Sequence, residues 1–121
     1  MADIQMGVVE SQFADIIWNN EPISSSTLAA LSAENFQWKK TTSFTVLKRL
    51  CDKGIFQNDK GTVTSLISRN DFYSIQSEKF VDETFDGSLP AFLTAFTAHK
   101  SLTAEEVAEL RRMVDEYEED R

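Results

Sequence analysis

The hydrophobic pattern of this sequence changes at Gly54, and that change limits the folds that the chain can adopt. Before Gly54, apolar residues recur at spacings of three and four, which is the period of helices that bury one face. After it, the run Asn-Asp-Lys-Gly at positions 58–61 precedes β-branched residues at 62, 63, 64 and 67, a pattern typical of a short hairpin. Several helices followed by a hairpin predict a mainly α, winged helix-turn-helix fold.

Three helices are predicted before Gly54. The first covers residues 8–18, and its apolar face holds Val9, Phe13, Ile16 and Ile17. Ser24 can begin a second helix, which ends near residue 35, because its hydroxyl can accept a backbone N–H from the first turn. The third runs from about Lys40 to Lys53, and Gly54 ends it because glycine readily takes the left-handed conformation.

The composition excludes several classes of function. A chain of 121 residues holds one compact domain, or one small domain with an accessory segment. One cysteine, Cys51, and one histidine, His99, are too few soft ligands for a zinc site or a Cys/His nucleophilic pair. No apolar run approaches the ~18 residues of a membrane span, and the first ten residues lack a secretory signal. We expect a cytoplasmic protein that is not an enzyme, with no metal, cofactor, small-molecule ligand or membrane insertion.

The negative charge of the chain is concentrated in its second part. The net charge is −8, but residues 1–68 carry six Lys and Arg against seven Asp and Glu, whereas residues 69–121 carry six against thirteen. Between positions 39 and 53, five cations are opposed by Asp52 alone. This local excess of positive charge can meet phosphates.

The third helix separates a polar face from an apolar one. At about 100° per residue, one arc of about 120° holds Thr41, Thr42, Thr45, Lys48, Arg49 and Asp52. A threonine hydroxyl can hydrogen-bond to phosphates or base edges, and arginine can form two hydrogen bonds with guanine. The alternative is an ordinary surface helix, which also has a polar face. With the neighbouring cations included, the candidate DNA contacts are Lys39, Lys40, Thr41, Thr42, Thr45, Lys48, Arg49 and Lys60.

From Arg69 onwards the chain is predicted to be helical. The last helix begins with a capping box formed by Thr103 and Glu106. Two short helices here carry more apolar surface than one subunit can hide, so we predict that a second copy covers it. The predicted dimerisation residues are Leu89, Phe92, Leu93, Phe96, Val107, Leu110, Val114 and Tyr117.

The third helix also resembles a known signature. Its pattern is similar to the recognition helix of the penicillinase and methicillin-resistance repressors, a bacterial winged-helix family that includes copper-responsive repressors: Trp38-x-x-x-Thr42-x-x-Thr45-x-Leu47-x-Arg49-Leu50-x-x-Lys53-Gly54. The resemblance continues in Ile16-Ile17-Trp18, Ser77-x-x-Phe80, Phe85-x-Gly87-Ser88-Leu89, Phe92-x-x-x-Phe96 and Leu102-Thr103-x-Glu105-Glu106-x-x-Glu109-Leu110. It covers nearly the whole chain.

This resemblance implies a homodimeric repressor of β-lactamase or antibiotic-resistance genes that binds an inverted-repeat operator in double-stranded DNA. Residues 1–68 would be the winged-helix DNA-binding domain, and residues 69–121 the helical dimerisation domain. In antibiotic-responsive relatives, proteolysis at an Asn-Phe bond, linked to a membrane sensor, inactivates the repressor. The matching position here is Ala95 and Phe96. Because the asparagine is missing, we expect a protease of different preference or, somewhat favoured, control by another signal.

The chain departs from the family pattern in its wing. The hairpin is shorter than usual and Lys60 is its only cation, so we expect a weak grip on the DNA backbone. Lys40 stands where proline is common, Phe44 replaces a polar residue, and the paired cysteines of copper-responsive members are missing. The net charge and the poor wing favour an alternative, a winged-helix module for protein contacts without specific DNA binding.

Overall fold

The computed structural model describes residues 6–119, with side chains up to Tyr117. In this part of the chain the elements are α1 (Val8–Asn20), β1 (Ile23–Ser24), α2 (Ser25–Phe36), α3 (Lys40–Asp52), β2 (Phe56–Asp59), β3 (Thr62–Ser65), α4 (Arg69–Phe85), α5 (Leu89–Thr97) and α6 (Ala104–Glu119). The predicted mainly α fold with a hairpin wing is confirmed. Contacts divide the chain into two compact units, one ending at Glu78 and one beginning at Lys79.

The core of the first unit lies between α1, α2, α3, the sheet and the start of α4. Its large side chains that are fully or almost fully buried are Phe13, Ile17, Leu28, Leu47, Leu50, Ile55, Phe56, Val63 and Phe72. Trp18 and Trp38 are half-buried and pack against this core. Val9, which we predicted on the buried face of α1, is 45% exposed. It lies in the first turn of α1, so the buried face of this helix begins one turn later, at Phe13.

Local signals fix the ends of the helices of the first unit. The Ser24 hydroxyl accepts a hydrogen bond from the Thr27 backbone N–H at 3.0 Å, which confirms Ser24 as the N-cap of α2. Gly54 follows α3 with a φ of 83°, the left-handed conformation that we expected to end this helix. Both ends of the helix-turn-helix segment are therefore set by residues next to them in the chain.

The sheet has three antiparallel strands in the order β1-β3-β2. A two-residue turn, Lys60 and Gly61, joins β2 to β3, and both residues have positive φ, as in a type I′ hairpin. The first strand was not predicted, because two residues carry no recognisable period. Ile23 of β1 is paired with Val63 of β3, and both are buried, so β1 anchors the wing to the core.

The first turns of α4 belong to the first unit. Phe72 is fully buried in its core, and Arg69 forms an ion pair with Asp15 at 3.1 Å. The Arg69 guanidinium also donates to the Asn19 side-chain oxygen at 2.7 Å and lies over the Trp18 ring. Residues 69–78 thus belong to the first unit, which ends at Glu78 and which we call the head. The head extends ten residues beyond Ser68, where we predicted the end of the DNA-binding domain.

The second unit is built on aromatic contacts but has no enclosed core. Four rings on α4 and α5 pack in a chain with centroid distances of 5.6–6.1 Å: Phe80, Phe85, Phe92 and Phe96. Between residues 79 and 117, no described side chain is buried. The capping box of α6 is confirmed, because Thr103 N–H donates to Glu106 at 2.9 Å and Glu106 N–H donates to the Thr103 hydroxyl at 3.0 Å.

Candidate nucleic-acid interface

Helix α3 presents a polar face to solvent and buries the opposite one. Its buried residues are Ser43, Val46, Leu47 and Leu50. The predicted DNA contacts on its other face, Thr41, Thr42, Thr45, Lys48 and Arg49, are all exposed. A surface of hydroxyl and cationic groups on one helix has the chemistry and the width to enter a major groove.

Thr45 and Thr41 are linked along this face. The Thr45 hydroxyl donates to the Thr41 carbonyl oxygen at 2.9 Å, one turn earlier in the helix. This bond fixes the direction of the hydroxyl hydrogen and leaves the oxygen lone pairs free to accept from a donor outside the helix. Thr45 therefore presents an acceptor and a methyl group to a partner in the groove.

Lys48 is paired with an acidic residue of its own helix. Its ammonium lies 3.2 Å from the Asp52 carboxylate, one turn further along, and the two side chains are 78% and 67% exposed. Ion pairs between residues this exposed contribute only about 0.3–0.5 kcal/mol. Lys48 can consequently exchange Asp52 for a phosphate at little cost.

Arg49 is paired with an acidic residue of another helix. Its Nη1 lies 3.4 Å from Oε2 of Glu10 on α1, and the side chains of Arg49 and Glu10 are 50% and 21% exposed. Glu10 Oε2 is buried and has no hydrogen-bond partner among the described residues. Sequence reasoning missed this pair, because Glu10 and Arg49 are separated by a strand and a helix and no local pattern connects them.

The remaining predicted cations lie at the start of α3 and in the turn of the hairpin. Lys39 is the N-cap residue of α3 and Lys40 its first residue, and the Lys40 ammonium lies 5.7 Å from the centre of the Phe44 ring. Lys60 is at the tip of the β2–β3 turn. Lys39, Lys40 and Lys60 are all exposed. Cations at a helix N-terminus oppose its dipole, so Lys39 and Lys40 add nothing to the stability of α3 through that interaction.

Cys51 lies on the α3 side that faces the hairpin. It is half-buried and lines a cavity of about 290 Å³ together with Phe44, Leu47, Lys48 and Asn58. Burial, and after it the negative charge of Asp52, raise the pKa of the Cys51 thiol. A thiol with a raised pKa is a poor nucleophile at neutral pH.

The predicted dimerisation residues all lie in the second unit. Leu89, Phe96, Val114 and Tyr117 are exposed, and Phe92, Leu93, Val107 and Leu110 are half-buried. An open groove of about 290 Å³ between α5 and α6 is lined by Phe92, Leu93, Phe96, Leu102, Glu106, Glu109 and Leu110. Five of these seven lining residues are apolar and two are acidic.

The bond that the family resemblance marks as a possible cleavage position lies inside α5. Ala95 and Phe96 are both helical and exposed, and the Ala95 carbonyl accepts the Ala98 backbone N–H at 3.3 Å. The Phe96 ring packs on Phe92 with centroids 6.1 Å apart. The bond between residues 95 and 96 is therefore part of a closed helical turn.

The described residues offer neither a membrane-spanning helix nor a cluster of metal ligands. Within residues 6–119, every helix is either too short or too polar to span a bilayer. That part of the chain also contains no group of three or more His, Cys, Asp and Glu side chains that could hold a metal ion.

The first unit has three helices followed by a hairpin wing, and the third helix has an exposed polar face. These features define this chain as a winged helix-turn-helix protein. The family model described as Penicillinase repressor matches residues 6–116. A protein of Bacillus licheniformis described as "Penicillinase repressor" is 26% identical over 117 residues, which cover 93% of this chain and 91% of that protein. The chain belongs to the penicillinase repressor family.

Family membership confirms two predictions made from the sequence. The resemblance to the penicillinase repressors is confirmed, since the match extends over both compact units. Members of this family are DNA-binding transcriptional regulators and not enzymes, which confirms the class of function predicted here.

Proposed function

We propose that this chain is a homodimeric transcriptional repressor that binds an inverted-repeat operator through the polar face of α3. The observation that carries the proposal is the exposure of Thr41, Thr42, Thr45 and Lys48 on one side of a helix whose other side is buried in the core. The regulated genes are proposed to be β-lactamase or other antibiotic-resistance genes, on the strength of the family.

Positive charge supports the orientation of the head on DNA. Lys39 and Lys40 begin α3, and Lys60 lies at the tip of the wing, so cations are available to phosphates from two elements. The second part of the chain is strongly acidic and is repelled by the same phosphates. Only the head is therefore suited to contact DNA.

The second unit supports a homodimer. It has no buried side chain between residues 79 and 117, although it exposes large apolar residues, among them Leu89, Phe96, Val114 and Tyr117. A group of short helices needs an enclosed apolar core to be stable, and a second copy supplies the missing half. Two heads joined in this way match the two half-sites of an inverted repeat.

Operator binding tests this proposal directly. Duplexes selected from a random pool by the full chain would be titrated by fluorescence anisotropy against the wild type and a Thr42→Ala, Thr45→Ala, Arg49→Ala triple variant. We expect each lost base contact to cost about 1–3 kcal/mol of binding free energy. Arg111→Ala, which removes an exposed cation from α6, is the matched control and should bind like the wild type.

Two results would contradict the proposal. If the triple variant binds the selected duplex as tightly as the wild type, α3 does not read DNA. If the wild type selects no sequence, the chain fits the alternative function, a winged-helix module for protein contacts. The pairing of Lys48 and Arg49 with carboxylates is the structural feature that favours this alternative, because it lowers the net positive charge of α3.

A sensor-linked protease is a further proposed partner, again on the strength of the family. The bond between Ala95 and Phe96 lacks the asparagine and lies in a helical turn, so cleavage there would need a protease of different preference. We propose instead that the repressor is released from DNA by another signal.

A further inference from the structure

The two adjacent cations of α3 differ in how firmly their acidic partners hold them. Asp52, the partner of Lys48, is 67% exposed, so water replaces Lys48 easily when the pair opens. Glu10, the partner of Arg49, is 21% exposed, and its Oε2 is shielded from solvent with no hydrogen-bond partner in the described part of the chain. Removing Arg49 would leave this buried carboxylate oxygen without a counter-charge, which is costly.

The Glu10 carboxylate consequently affects Arg49 in two ways. It cancels the charge of Arg49, so the pair as a whole contributes little to the attraction of phosphates. It also holds Nη1 against α1, while the rest of the half-exposed guanidinium remains available on the α3 surface. Tethering one nitrogen restricts the orientation in which the remaining N–H donors of the planar guanidinium face DNA, whereas a free guanidinium can follow any phosphate within its reach.

We propose that Glu10 is a positioning residue that makes Arg49 selective for DNA sequence. Tethered to Glu10, Arg49 contacts DNA in one orientation and contributes to discrimination between sequences. Without Glu10, it would bind phosphates of any sequence. This inference depends on the proposed function, because it assumes that the polar face of α3 contacts DNA.

The test is a Glu10→Gln substitution in the full chain, which keeps the size of the side chain and removes its charge. Binding is measured by fluorescence anisotropy on the duplex selected by the wild type and on a mixed-sequence duplex of equal length, over a range of potassium chloride concentrations. For the mixed-sequence duplex, we expect affinity to rise about fivefold to tenfold near 0.1 M salt and the salt slope to steepen by about 1. The ratio of specific to mixed-sequence affinity should fall by a similar factor.

Two further variants test whether the release of Arg49 causes the change in salt slope. Glu10→Gln combined with Arg49→Ala should return the salt slope to the wild-type value, because the freed cation is then gone. Glu34→Gln removes one exposed carboxylate from α2 of the same head and controls for the loss of a negative charge. It should shift the salt slope much less than Glu10→Gln does. A purely structural role for Glu10 would change thermal unfolding without changing the salt slope.

The outcomes separate this inference from the proposed function. If the wild type binds the selected duplex and Glu10→Gln leaves both the salt slope and the specificity ratio unchanged, the inference is wrong and the proposed function stands. If Glu34→Gln steepens the slope as much as Glu10→Gln does, the effect is one of net charge and the inference is also wrong. If the wild type selects no duplex at all, the proposed function itself fails.

Discussion

Glu106 shows how a single hydrogen-bonded residue makes one end of a helix sensitive to pH. The Thr103 backbone N–H, and after it the Thr103 side chain, hydrogen-bond with Glu106 and lower the pKa of its carboxyl group. A carboxyl group whose pKa is lower in the folded state stabilises that state above its unfolded pKa, and the contribution disappears as the pH falls through the folded value. The start of α6 should therefore be less stable in acid than at neutral pH.

This pH dependence can be measured for the individual side chain. In an NMR titration of the full chain, the Glu106 carboxyl should titrate below the ordinary range for glutamate. Thr103→Ala should bring the Glu106 midpoint back towards the ordinary range for glutamate. The substitution removes the hydroxyl that accepts the Glu106 backbone N–H, and this weakens the helix end that holds the residue-103 backbone N–H against the Glu106 carboxylate. Equal Glu106 midpoints in the wild type and in Thr103→Ala would contradict the prediction.

At the scale of elements, helix α5 affects whether the chain can be cut between Ala95 and Phe96, the cleavage position predicted from the family resemblance. A protease binds its substrate in an extended conformation, and residues 89–97 form a helix. Ser88 caps this helix by accepting the Ala91 backbone N–H at 3.1 Å, and Pro90 fits its first turn. Cleavage between Ala95 and Phe96 would require local unfolding of α5.

We therefore predict that the repressor stays intact at this bond during induction. Mass spectrometry of the protein recovered from cells challenged with a β-lactam should show no fragment ending at Ala95. An Ala95→Asn variant, which restores the asparagine expected from the resemblance, is the informative comparison. If the variant is cut and the wild type is not, the missing asparagine protects the wild-type bond. If neither is cut, the helical conformation or the absence of the protease protects it. A wild-type fragment ending at Ala95 would overturn the prediction.

At the scale of the whole molecule, the two compact units predict how the chain can be divided. The head includes Phe72, which is fully buried, and Arg69, which is bound to Asp15 and Asn19. A chain ending at Ser68 would lose all of these contacts, whereas a chain ending at Glu78 keeps them. Truncating a buried Phe to Ala costs about 3–5 kcal/mol, so losing Phe72 with its helix should destabilise the head strongly.

The expected results follow from this division. The chain ending at Glu78 should fold, sediment as a monomer and bind the selected duplex more weakly than the full chain, because a single head contacts one half-site. The chain ending at Ser68 should unfold at a lower urea concentration than the chain ending at Glu78. Dimerisation of the Glu78 chain, or operator binding equal to that of the full chain, would show that the second unit is not the dimerisation region.

Elements with local causes could be predicted from the pattern of residues. The Ser24 cap, the capping box of Thr103 and Glu106, and the left-handed residue Gly54 act on atoms a few positions away, so the pattern of residues is enough to locate them. The polar face of α3 follows in the same way from the period of one helix. The family resemblance extended this reading to function and is confirmed.

Contacts between residues that are distant in the chain could not be predicted in this way and are seen in the folded protein. Strand β1 forms because Ile23 pairs with Val63 of β3. The head extends into α4 because Phe72 is buried in the core of the head. Arg49 looked in the sequence like a free cation and is in fact held by Glu10 from another helix. Such contacts join residues far apart in the chain, and their partners are selected by packing and charge in three dimensions, for which no periodic or neighbouring pattern exists in the sequence.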